Sequence, residues 1–137
     1  MNKENMKKLT KENIYEFMDY YHFLHESCIK KLNYNPTESK IDAIFNVYWN
    51  GKPTIKKDGT YDTYITKIRM IFTNIENFSY NEKHNSIDNS FVECYKKNGK
   101  DLICISLQST DPDEEPYLYI ACEKIEYEIV DDTKSNM

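Results

Sequence analysis

The sequence predicts an α+β domain in which one N-terminal helix packs on a mainly antiparallel sheet of about six strands, curled or folded into a sandwich. Three observations carry that expectation. A single helical stripe occurs near the start, with Ile14, Phe17, Met18 and Tyr21 at i, i+3, i+4 and i+7. The rest of the chain reads in extended stretches with no second helical stripe between them, which argues against parallel β-α-β units. Asn98-Gly99 separates two such stretches, and both residues accept the positive φ that a two-residue type I′ hairpin requires.

Residues 1–9 are polar and basic and read as a frayed arm. Thr10 is placed to cap a helix over residues 11–20, with Glu12 in its first turn, where the helix dipole favours an anion. The helical period fades around Glu26, and a first strand is expected to end near Tyr34, because Asn35-Pro36-Thr37 is a turn and proline disfavours helix in the residue before it. Residues 40–50 alternate clearly, with Ile41, Ala43, Phe45, Val47 and Trp49 on one face. Residues 51–59 form a loop around Pro53 and Asp58-Gly59. Residues 61–74 are apolar on both faces, as a central strand would be. The asparagine-rich residues 77–86, with His84, read as a loop, and residues 87–97 and 101–108 flank the hairpin turn. Residues 117–130 form a last strand that becomes charged along one face, followed by a solvated tail over residues 131–137.

The 137 residues suffice for one domain spanning 1–137 with a core large enough to need no metal or disulfide. Neither a secretory signal nor a run of ~18 apolar residues is present, so a cytoplasmic protein without membrane contact is expected. Cys28, Cys94, Cys104 and Cys122 are widely spaced among apolar residues and read as reduced core thiols.

Catalytic and metal chemistry find little support in the sequence. His22, His25 and Cys28 are spaced by three, which spreads them around a helix and alternates them across a strand, and no fourth ligand accompanies them. No cofactor and no metal are therefore expected. None of the three glycines lies near Ser27, Cys28 or Cys94, so there is no nucleophile elbow, and no phosphate-binding glycine loop is present. Asp111, Asp113 and Glu115 alternate as calcium ligands can, but Pro112 and Pro116 intrude and the glycine and closing glutamate of a calcium loop are missing. No catalytic residue is assigned.

Charge is the most informative feature. The net charge is −5, yet residues 111–132 hold nine acids and one lysine, while residues 1–110 are slightly basic. Asp111, Asp113, Glu114, Glu115, Glu123, Glu126 and Glu128 form an acidic segment that would repel nucleic acid and steer a basic protein partner.

Phe23-Leu24-His25-Glu26-Ser27-Cys28-Ile29, together with the closing Ile120-Ala121-Cys122-Glu123-Lys124-Ile125, resembles a loose group of small bacterial proteins. These carry a Phe-His-Asp-Ser-type signature near the N-terminus, and some resemble immunity proteins that bind a toxin. Here Leu24 intervenes between Phe23 and His25, and Glu26 stands in place of the aspartate. The resemblance implies that His25, Glu26 and Ser27 fix the entry to the first strand and are not catalytic. It favours a non-enzymatic binding domain of immunity type. The other expectations are a small-ligand binder or minor enzyme with a pocket lined by Tyr48, Trp49, Tyr64 and the histidines, and a structural or assembly domain.

Overall fold

The computed structural model describes residues 6–48, 54–55, 57–59, 61–62, 64–81, 86–87, 89–108 and 117–134. In chain order the elements are β1 (Lys7–Leu9), α1 (Ile14–Tyr20), a tight turn over His22–Leu24, β2 (Ser27–Asn35), β3 (Lys40–Val47), β4 (Thr54–Ile55), β5 (Tyr61–Asp62), β6 (Tyr64–Tyr80), β7 (Ser86–Ile87), β8 (Asn89–Lys97), β9 (Lys100–Gln108) and β10 (Leu118–Lys134). One antiparallel sheet runs β7-β2-β3-β6-β10-β9-β8, and β1 adds to β10 beyond the end of β9. The terminal strands β7 and β8 are separated in the chain by residue 88 alone, so one short segment joins the two ends of the row. Among the described residues the strand pairs do not close into a ring.

Alternation decides which side of each strand faces the core. In β3, Ile41, Ala43, Phe45 and Val47 are buried and the residues between them are half-buried, as period two requires. In β6, Ile68, Met70 and Phe72 face the same core, with Ile71 buried on the other side. This strand occupies the middle of the row, paired with β3 and β10, as its two-sided apolar pattern predicts. The β8–β9 hairpin closes with Lys97 opposite Lys100 and positive φ at both Asn98 and Gly99. Ile14, Phe17 and Met18 of α1 are buried in the same cluster as the core side of the sheet, and the Phe17 ring lies 4.6 Å from that of Tyr127 on β10.

Several sequence-derived boundaries are corrected. The expected frayed arm holds a strand: Lys7–Leu9 pairs with residues 125–127, and Leu9 is buried. The expected tail continues β10 through Lys134, in register with residues 64–67 of β6. The asparagine-rich loop begins later than predicted, because Asn77, Phe78, Ser79 and Tyr80 pair with β10. Helix α1 starts at Ile14, since residues 11–13 form a separate turn in which Thr10 Oγ1 accepts from the Glu12 N–H at 3.3 Å. Within the expected loop over residues 51–59, Thr54–Ile55 pairs with Tyr61–Asp62. Trp49 lies outside the described residues, as do His84 and residues 109–116.

The passage from helix to sheet is left-handed. His22, Phe23, Leu24 and Glu26 all have φ between 51° and 59°, a region in which non-glycine residues crowd Cβ against the carbonyl at about 1–2 kcal/mol each. Backbone bonds from Leu24 N–H to Tyr21 O (2.9 Å) and from His25 N–H to His22 O (3.0 Å) hold the turn, the Ser90 hydroxyl donates to Phe23 O, and Leu24 is buried. His22 and Glu26 are exposed, so His22→Gly and Glu26→Gly should each raise the melting temperature, by roughly 0.5–1 kcal/mol of stability. A drop in the midpoint for both variants would exclude a left-handed turn here.

Candidate functional site

The acidic segment anticipated from the sequence divides. Asp111, Asp113, Glu114 and Glu115 lie outside the described residues. On β10, Glu126 lies 3.4 Å from Lys124, and the largely buried Glu128 lies 3.6 Å from Arg69. Both carboxylates are thus balanced within the fold. Glu123 is half-buried and borders a groove of about 420 Å³ where β9 peels away from β10 and β1 takes its place. Lys8, Lys11 and Lys96 share this groove with Glu12 and Asp101, and Lys11 pairs with Asp101 at 3.7 Å, so its charges are mixed.

His25, Glu26 and Ser27 stand at the entrance of β2. His25 Nε2 and Glu26 Oε1 are 3.7 Å apart with both side chains more than half exposed, which makes them a solvated pair. Ser27 is fully buried as the first residue of β2, and its Oγ has no hydrogen-bond partner among the described residues. Tyr48 lies 3.9 Å from Cys28, while the Trp49 and Tyr64 side chains of the anticipated pocket are outside the described residues. Among the described residues no three His, Cys, Asp or Glu side chains gather as a metal site would require, and no helix is long and apolar enough to cross a membrane.

The four cysteines are free. Burial pushes the Cys94 and Cys104 thiols up, and that of Cys122 up to about 12. A reactive cysteine needs the opposite shift, because the thiolate is the nucleophile.

On the outer side of the sheet, Arg69 is the one arginine in the chain. It joins the three central strands: its Nε donates to Asp42 Oδ1 of β3 at 2.9 Å, its Nη2 donates to Asp42 Oδ2, and its Nη1 lies near Glu128 of β10. Hydrogen bonds from Arg69 hold the Asp42 carboxyl below its ordinary value. The guanidinium is thereby committed to two carboxylates of its own chain, which makes this triad a clamp within the fold.

The features that remain unabsorbed lie on α1. Ile14, Phe17 and Met18 face inward, which turns Tyr15, Glu16, Asp19 and Tyr20 to solvent. The two tyrosines are 48% and 53% exposed. At 100° per residue, Glu16 and Asp19 sit between them, with Glu12 in the turn ahead, and no Lys or Arg occurs within the helix. Asp19 occupies the last turn, where the helix dipole disfavours an anion, so its charge does not serve the helix. Beside this face Phe17, Tyr20, Tyr21 and Tyr127 line a trough of about 450 Å³ with Leu9, Asn13 and Glu16. Tyr20 meets Tyr21 edge-on at 4.8 Å, and Phe17 lies 4.9 Å from Tyr21. Sequence reasoning passed over this surface. The helical spacing of Tyr15, Glu16, Asp19 and Tyr20 was there to be seen, but only the pairing of β1 and the packing of α1 bring Leu9 and Tyr127 beside it.

Fold and surface together define a mainly antiparallel-sheet domain with one helix that presents an acidic, tyrosine-flanked face. Comparison with protein families, with curated proteins and with solved structures finds no match to this chain.

Proposed function

We propose that this chain is a non-enzymatic protein-binding domain that docks a basic protein, as an immunity-type inhibitor docks its toxin, and that the exposed face of α1 is a principal contact. The carrying observation is the pair of half-exposed tyrosines flanking Glu16 and Asp19 on a helix without a cation. Tyrosines suit such a role because they supply large contact area for little conformational entropy, and carboxylates around them select a basic partner and speed its approach. The raised thiol pKa values of Cys94, Cys104 and Cys122 support a binding role over nucleophilic catalysis. The acids of residues 111–115 add negative charge to the same chain and favour a basic protein over nucleic acid. A cytoplasmic setting fits the four free thiols.

Two amide variants test this: one carrying Glu12→Gln, Glu16→Gln and Asp19→Asn, the other Asp113→Asn, Glu114→Gln and Glu115→Gln. Partners retained by the tagged wild type at low and moderate salt are identified, and the purified partner is then titrated with each form. A basic protein whose affinity falls roughly tenfold with the helix variant, and whose salt dependence flattens, is the expected result. A partner bound equally by wild type and both variants, with the same salt slope, would refute the proposal.

A further inference from the structure

The geometry points to a defined occupant for the aromatic trough beside α1: we infer that it receives one arginine side chain of the basic partner. This assignment rests on the docking role proposed above and adds the position and chemistry of a single anchoring contact. The faces of tyrosine and phenylalanine rings attract cations, and a guanidinium can lie flat on a ring while its N–H groups reach a carboxylate. The trough supplies both elements. Phe17 and Tyr21, both buried, line it together with Tyr20 and Tyr127, and Glu16 contributes the carboxylate. The ring arrangement is already set, with Phe17 4.6 Å from Tyr127 and 4.9 Å from Tyr21 and the Tyr20 ring braced edge-on against Tyr21 at 4.8 Å. Burial pushes the Tyr127 hydroxyl pKa up, which keeps that ring neutral. Lys7 stands opposite Tyr127 in the strand register, yet it does not line the trough.

Arginine fits better than lysine, because its planar head can stack on Tyr20 and pair with Glu16 together, whereas an ammonium acts as a compact, strongly hydrated charge. Glu16 and Asp19 on a helix that carries no base, with Glu12 in the turn ahead beside a Lys11 engaged by Asp101, would bring such a cation to the trough and complement it once bound.

The test uses the intact chain and a short arginine-containing peptide, with control peptides in which citrulline or lysine replaces arginine. Ring resonances of Tyr20 and Tyr127 are followed by nuclear magnetic resonance, and affinity is taken from the titration. The arginine peptide should shift both rings, with binding weakened roughly tenfold in Tyr20→Ala, several-fold in Glu16→Gln and hardly at all in Tyr20→Phe. Tyr20 is exposed enough that its truncation leaves the fold in place, which the unchanged core resonances of the variant would verify. An equal response to the citrulline or lysine peptide would overturn the arginine assignment, as would wild-type affinity in Tyr20→Ala. Should the trough variants bind normally while the triple-amide helix variant still loses its protein partner, the trough assignment fails and the docking role survives.

Discussion

Leu9→Ala is expected to destabilise the protein by about 3 kcal/mol, although the residue lies in a stretch whose sequence reads as a frayed arm. Leu9 is 3% exposed, belongs to the main core cluster and stands opposite Ile125 in the β1–β10 pairing. Truncating it removes buried methyl groups and leaves a cavity between α1 and β10. Lys8→Ala, on the exposed side of the same strand, should change stability by no more than ~0.5 kcal/mol. Denaturant unfolding of the two variants separates a strand from an arm: equal midpoints would mean that β1 does not form.

Arg69→Ala should cost about 2 kcal/mol. Removing one member of a fully buried ion pair costs ~3–5 kcal/mol by leaving an uncompensated charge, and the partial exposure of Arg69 and Asp42 reduces that figure. The loss should also alter the response to acid. The carboxyl of Asp42 is held below its ordinary value, first by hydrogen bonds from Arg69 and then by that residue's charge. A depressed carboxylate contributes stability that is fully present above the ordinary carboxylate range and disappears as pH falls through the lowered folded value. Wild-type stability should therefore decline across that acidic interval, and Arg69→Ala should decline less steeply. Parallel acid-unfolding curves for the two proteins would rule out the clamp as the source of that dependence.

The sequence was most legible where structure depends on near neighbours. The period-two pattern of β3 is reproduced residue by residue in its burial, and Asn98-Gly99 closes its hairpin at the expected two residues. The two-sided apolar character of β6 correctly put it at the centre of the sheet. Boundaries that depend on distant partners were misread. Residues 7–9 and 131–134 look solvated alone, because their polar side chains dominate any local window, yet each segment is held by backbone pairing to a strand far away in the chain. At Asn74, a left-handed residue with φ of 58° followed by a register shift redirects β6, and the strand then continues through the asparagine-rich segment.

The candidate surface shows the same division. Summed along the chain, the acids between residues 111 and 132 look like one patch. The fold, however, sets Glu126 beside Lys124 two residues back on the same strand, and Glu128 beside Arg69 of β6, because residues on adjacent strands meet whatever their distance in sequence. The reverse holds for α1, where a short helix that reads simply as a core-facing stripe carries the exposed Glu16 and Asp19 and no base. By itself the sequence determined the strand alternation, the hairpin turn, the inward side of the helix and the overall acidity, since these follow from backbone geometry and composition over a few residues. Only the tertiary structure decided which charges cancel, which aromatic rings share a trough and which polar ends become strands, since burial and pairing depend on what the rest of the chain places alongside.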